Sequence, residues 1–270
     1  MHLRADVLGV PISVLTMEEA IAAIDDTIFT NDQKYVCTID VHALVESRRH
    51  FDVRDIYHAA GIAAPDGMPL VWLLRHSGHP AADRICGPDL MPAVFRKSQQ
   101  RGYRHFLYGA SEETLLSLEQ QLDVNFPGVK IVGHYSPPFR TLSREEELEV
   151  DRMLNAADPD IVWVGLGAPK QDRWMAAHRP MLNAPMLIGV GAAFDMIAGK
   201  IKRAPRLIRR TGCEWMFRLA QEPRRLTARY LRSNLWFALM LAGQARRPRR
   251  LTTDAWGAEA RFQSEPNHNV

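Results

Sequence analysis

A carboxylate at the end of a short apolar run is the first place in this chain where chemistry could begin. Residues 62–64 are apolar, Pro65-Asp66-Gly67 follow, and a helical pattern opens near Met68. An aspartate between a strand and a helix projects into the space above the sheet, where it could take a proton from an attacking hydroxyl. The same residue type in the same place also serves as an ordinary helix N-cap. The second candidate is IVWVGLGAPKQ, residues 161–171. Its apolar run climbs into Gly165-Leu166-Gly167, a turn that lets backbone approach a ligand closely. Lys170 and Gln171 then stand at a helix N-terminus, which attracts anions. Gln171 both donates and accepts, which suits a sugar hydroxyl or a uracil edge. A plain strand-to-helix loop would read in much the same way.

Several more familiar sites are poorly supported. The Gly165 turn lacks the third glycine of a dinucleotide fingerprint, and no acidic residue closes the next strand about 20 residues on. No P-loop pattern occurs. Asp158-Pro159-Asp160 has the form of a metal-holding D-x-D, but it precedes a strand and reads better as a turn. The ten histidines are scattered and the three cysteines far apart, so no metal site is indicated. Asp195, after the last strand pattern, is open to a capping or a ligand role, and Arg203 to solvent or a phosphate.

Such residues need elements to hold them. Apolar β-branched runs at 35–38, 62–64, 105–108, 130–132, 161–164 and 186–190 alternate with helical spacing at 41–60, 68–76, 89–100, 112–126, 144–157 and 171–182. Ser143 with Glu146 makes a capping box for one of these helices. This rhythm predicts an α/β fold with a mostly parallel, doubly wound sheet and helices on both faces. Ligands of such sheets sit at the carboxyl ends of the strands. Those ends carry Thr38 and Asp40, Asp66, Gly109, Gly165 and Gly167, and Gly189 and Gly191.

The charge is uneven. Residues 201–250 hold fourteen Lys/Arg against two acids, a local +12 within an overall +3, which leaves −9 on the remainder. The pattern divides the chain into an α/β core at 1–200, a basic helical C-terminal appendage at 201–250 broken at Pro223, and an aperiodic, disordered tail at 251–270. A basic appendage on a mildly acidic body is expected to meet an anion: nucleic acid, phospholipid or a diphosphate. In its second helix, Leu231, Leu235, Ala238 and Leu239 line one side and Trp236, Phe237 and Met240 broaden it. That face suits either an anionic membrane surface or the protein's own core. The sparse, odd cysteine count, an N-terminal apolar run too short for a signal peptide and the want of a spanning segment lead to the expectation of a cytoplasmic protein.

Taken in order, the motifs resemble one family. DRICGPDL (83–90), GLGAPKQD (165–172), GVGAAFD (189–195) with Gly199 and Arg203-Ala204-Pro205, EWMFRL (214–219) and EPRRL (222–226) are similar to the motifs of the WecG/TagA/CpsF glycosyltransferases. The resemblance spans roughly residues 1–235. It implies a Rossmann-like core and a metal-independent, inverting transfer from a UDP-sugar to a polyprenyl-diphosphate-linked sugar acceptor. The reaction would run at the inner face of the cell membrane, for surface polysaccharide synthesis. The donors it implies are UDP-glucose, UDP-N-acetylmannosamine or the corresponding uronic acid. Carried onto this sequence, Asp66 matches the proposed base, and Thr38, Arg84, Gln171 and Asp195 match pocket residues. Arg218, Arg225 and Arg229 match the arginines of the appendage. Two positions depart from the pattern: Asp40 stands where Asn is common, which places a second candidate base near Asp66, and Asp172 replaces Glu.

Two rival readings meet obstacles in the sequence. A nucleic-acid-binding module would use the basic appendage but leaves the glycine turns and Asp66 without a task. A UDP-sugar epimerase would need the missing dinucleotide fingerprint and a Y-x-x-x-K pair.

Overall fold

The computed structural model describes residues 2–245, apart from the side chains of Arg206, Arg210, Arg225, Gln244 and Ala245. The tail expected at 251–270 therefore lies outside the described residues. The chain opens with an antiparallel hairpin of β1 (Arg4–Val7) and β2 (Val10–Ser13), turned by Leu8 and Gly9, both at positive φ. Then come α1 (Met17–Thr30), β3 (Lys34–Ile39), α2 (Val41–Arg49), α3 (Phe51–Ala59), β4 (Ile62–Pro65), α4 (Met68–His76), α5 (Gly87–Arg101) and β5 (Arg104–Gly109). The core continues through α6 (Glu112–Asn125), β6 (Lys130–Tyr135), α7 (Arg144–Ala157), β7 (Ile161–Gly165), α8 (Lys170–His178), β8 (Met186–Gly189) and α9 (Ala193–Ile197). The appendage is α10 (Arg206–Arg210), α11 (Glu214–Gln221) and α12 (Pro223–Ala245).

All six expected strands join one parallel sheet in the order β4-β3-β8-β7-β5-β6. Alternate residues of each strand feed opposite faces, as a period of two requires. Tyr35, Cys37 and Ile39 with Val162, Val164 and Leu187 pack under α2, α3, α7 and α8. Val36, Ile161, Trp163, Met186 and Ile188 pack under α1, α5, α6 and α9. Burial on both faces is why these strands read as nearly unbroken apolar runs. Ser143 and Glu146 do form the capping box of α7.

One expected element is corrected. The helical stretch 41–60 is two helices meeting at His50, whose extended backbone (φ −125°, ψ 101°) ends α2 and starts α3. Periodicity hides the break because both pieces face the same core. The N-terminal hairpin and α1 have no counterpart among the expected elements, and the basic stretch before Gly212 contains the short helix α10. The appendage lies against the core: α12 runs beside α2 and buries Phe237 in the first of the two packed layers.

Candidate active site

The sheet order brings the carboxyl ends of β3, β4, β7 and β8 side by side. Above them lies a cavity of about 540 Å³, roofed on one side by α11 and α12. Adjacent strands deliver the two candidate bases. Asp40 follows β3 and caps α2, its carboxylate accepting from the Ala43 amide at 2.7 Å. Asp66 follows β4, and its own amide donates to Ile39 O at 2.9 Å, which continues the strand pairing and holds the residue in place. The cap of α4 is Gly67, with no side-chain bond, so Asp66 is not a cap. Its half-buried carboxyl group lines the cavity and has no hydrogen bond or ion pair among the described residues. Burial pushes it up to about 7; Asp40 and Glu214 push the same way, against the pull of Arg84 and Arg218.

The floor is built by glycine turns that Gln171 ties together. Its Oε1 accepts from the Gly167 amide at 3.1 Å and from the Gly191 amide at 2.9 Å. Both glycines have positive φ, +79° and +54°. The Thr38 hydroxyl donates to Gly189 O at 2.9 Å and joins β3 to the same floor. A side chain at Gly165 would strike the Phe194 ring, because its Cβ would stand 2.6 Å from the nearest ring carbon. Asp195, in the first turn of α9, lines the cavity and accepts a long bond from Thr114 Oγ1 at 3.4 Å.

The opposing wall is cationic. Arg84 Nη2 lies 2.6 Å from Glu214 Oε2, and the Arg84 and Arg218 Nε atoms are buried with no hydrogen-bond partner among the described residues. Arg229 lines the cavity and donates to Ala168 O at 3.4 Å. Fixed cations with unspent donors in a partly enclosed cleft are suited to a polyanionic leaving group. Among the described residues no group of three or more His, Cys, Asp or Glu is placed to hold a metal ion.

Of the residues singled out in the sequence, the cavity is lined by Thr38, Asp40, Asp66, Arg84, Gly165, Gly167, Gln171, Asp195, Arg218 and Arg229. Gly109 and Arg203 stand outside this lining. A Cβ at Gly109 would meet the Gly165 backbone at 2.8 Å, so this glycine permits strand packing and does not line the cavity. Arg203 turns to Asp89 at 2.6 Å and Pro88 O at 3.2 Å, one step behind the wall. The side chain of Arg225 lies outside the described residues. Asp158 and Asp160 sit at the opposite end of the sheet, where both accept from Arg104, as the turn reading requires. Asp172 is buried under Tyr57, whose hydroxyl donates to it at 3.0 Å.

Sequence reasoning did not single out His42, Trp215, Tyr230 or Glu214 among the lining residues. His42 bonds Ser233 at 3.0 Å and joins α2 to α12; burial and the neighbouring Arg229 lower its pKa. Trp215 and Tyr230 meet edge to face at 5.9 Å on the appendage side. Glu214 and Trp215 open the EWMFRL motif, and His42 follows Asp40 by two residues, so proximity to recognisable motifs was the available signal.

Comparison with known proteins identifies the family. Residues 5–251 match the glycosyl transferase WecG/TagA/CpsF family. An N-acetylglucosaminyldiphosphoundecaprenol N-acetyl-beta-D-mannosaminyltransferase of Bacillus spizizenii strain W23 is 30% identical over 195 residues, covering 72% of this chain and 74% of the relative. The protein of the same name from Bacillus subtilis strain 168 is 31% identical over 184 residues, 67% of this chain and 68% of the relative. That from Staphylococcus aureus strain MW2 is 26% identical over 226 residues, 83% and 87% of the two chains. A match that runs from the N-terminal hairpin through the appendage takes in every wall of the cavity, and the chain belongs to the WecG/TagA/CpsF family of glycosyl transferases.

Proposed function

We propose that this protein moves a sugar from a UDP-sugar onto a polyprenyl-diphosphate-linked saccharide, with inversion and without a metal ion. The acceptor hydroxyl oxygen attacks the anomeric carbon while its proton passes to the Asp66 carboxylate. The bond from that carbon to the diphosphate oxygen breaks, and UDP leaves with the electron pair. Arg84, Arg218 and Arg229 meet the charge that develops on the diphosphate, and the turns at Gly165–Gly167 and Gly189–Gly191 admit it close to backbone. UDP-N-acetylmannosamine is the first donor to try, because the relatives' name specifies that sugar and an acceptor built on diphosphoundecaprenol. UDP-glucose and the mannosaminuronic acid donor follow.

The observation that carries this reading is the unengaged Asp66 carboxyl group, which faces the same cavity as Arg84 and Arg218; burial pushes its pKa up to about 7. A carboxyl group with a pKa near 7 is about half ionised at pH 7, where it can accept a proton. The basic appendage also loses its appeal as a nucleic-acid surface: Arg218 and Arg229 turn into the cavity, and Arg203 and Arg209 bind Asp89. A screen of UDP-sugars for UDP release against a synthetic prenyl-diphosphate N-acetylglucosamine tests the proposal. Release with one donor, dependent on acceptor and undiminished by EDTA, supports it; no release with any donor refutes it.

A lipid-linked acceptor would put the work at a membrane, on its cytoplasmic side. No helix among the described residues is long and apolar enough to cross one. The outward side of α12 carries exposed Leu231, Leu235, Trp236 and Leu239 beside exposed Arg232, which suits peripheral binding to an anionic surface.

A further inference from the structure

Glu214 enters the cavity wall from the first turn of α11, and the transfer itself gives it no task. Its Oε2 lies 2.6 Å from Arg84 Nη2, and the two side chains are 14% and 15% exposed. A carboxylate pressed against this guanidinium competes with any diphosphate for it. The wall offers Glu214 an alternative. Arg203 Nε stands 3.9 Å from its other oxygen, Oε1, and is buried with no hydrogen-bond partner among the described residues. Arg203 is itself anchored, since Nη2 binds Asp89 and Nη1 donates to Pro88 O. One carboxylate thus sits between two cations: one bonded, the other presenting an unspent donor that is costly to leave so.

We propose, on the basis of the donor reading above, that Glu214 is a positioning residue for the transfer: a displaceable counter-ion that keeps Arg84 aimed into the cavity and yields it to the arriving diphosphate by turning to Arg203. The exchange keeps Arg84 paired with an anion before and after the donor arrives. The groups facing Asp66 are Asp40 at the cap of α2, Arg84 and Cys86 in the loop before α5, and Glu214 and Arg218 on α11. Among them Arg84 draws Asp66 toward ionisation and Glu214 opposes it.

UDP titration calorimetry on the full chain tests the exchange. Glu214→Gln keeps the shape and removes the competitor, so UDP should bind about three- to tenfold more tightly than to the wild type, a gain of up to ~1.4 kcal/mol. Arg84→Ala should bind it more weakly. A merely structural Glu214 would give the reverse, so equal or weaker UDP binding by Glu214→Gln overturns the proposal. A second measurement needs no ligand. The melting-temperature difference between wild type and Asp66→Asn, followed against pH, has a step where Asp66 ionises in the folded state. In the Glu214→Gln background that step should move to lower pH, and Glu214→Asp should return it. A step that stays in place also overturns the proposal. Should UDP bind neither wild type nor variant, the donor reading falls, and the melting series alone decides whether Glu214 balances Arg84 beside Asp66.

Discussion

Asp40 and Asp66 leave neighbouring parallel strands of one sheet, yet only the Asp40 side chain is bound to backbone: its carboxylate holds the Ala43 amide at 2.7 Å, while the cap of the next helix is left to Gly67. The two acids should therefore respond differently to loss of charge. Asp66→Asn removes the base and should lower kcat by about 10²–10⁴-fold, the usual worth of a positioned proton acceptor. UDP affinity should persist, because no bond to Asp66 holds the site together. Asp40→Asn keeps a side chain that caps as well as Asp does, so its loss should stay below about tenfold. Initial rates of UDP release for both variants, with UDP affinity measured alongside, decide the matter; the opposite ranking would make Asp40 the base.

A base pushed up to about 7 by burial also fixes the pH behaviour. Turnover should rise with pH through about 7 and level off above it, because only the ionised carboxylate accepts the proton. Stability runs the other way. The folded pKa lies above the ordinary aspartate value, so the contribution of Asp66 is fully present below about 4 and is lost as pH rises through 7. Asp66→Asn escapes that loss. It should melt above the wild type at pH 8 and together with it at pH 4, in calorimetric scans of both proteins. Coincident melting curves at both pH values would mean that the carboxylate is well solvated and that its strength is ordinary.

Much of this arrangement is legible in the sequence. Strands buried on both faces give compact apolar runs, and their ends are marked by residues that turns require, so the floor of the cavity can be read from Thr38, Asp66, Gly165 and Gly191. Residue type cannot separate Gly109 from those neighbours: it too ends a strand, but it is there because Gly165 of the adjacent strand leaves no space for a side chain. Pairings over long stretches of chain are invisible for a different reason. Arg84 and Glu214 are 130 residues apart, and His42 and Ser233 are 191 apart. Neither pair has a local signal, since only the folding of the appendage onto the core brings them together. The hairpin is hidden because Leu8 occupies a left-handed position where Asn, Asp or Gly is the usual sign. Helix α1 does carry such a sign, the capping box of Thr16 and Glu19.

Gln171 has the chemistry of a ligand contact, and the structure gives its carbonyl oxygen a prior duty to the Gly167 and Gly191 amides. Gln171→Leu would keep the bulk and leave two partly buried donors unsatisfied, at a cost of about 1–3 kcal/mol each if water cannot reach them. Urea unfolding should show that loss, and UDP binding should weaken in step because both turns lose their common anchor. A variant of wild-type stability that binds UDP poorly would instead assign Gln171 directly to the nucleotide.

The face of α12 divides the appendage between two environments. Phe237 is 9% exposed and packs into the core, whereas Leu231, Leu235 and Leu239, spaced by four, are 69%, 63% and 56% exposed. Phe237→Ala should destabilise the fold by about 3–5 kcal/mol, the range for a large buried aromatic. Replacing the three leucines together by Ser should shift stability by no more than about 0.5 kcal/mol each, as surface changes do. If this outer side docks on lipid, the triple variant should lose flotation with vesicles containing phosphatidylglycerol while keeping turnover on a short-chain, water-soluble acceptor. High salt should weaken what binding remains, because the arginine contribution is screened. Flotation undiminished in the triple variant would reject the leucine stripe as the membrane contact, and turnover lost on the short acceptor would place those leucines in the catalytic fold instead.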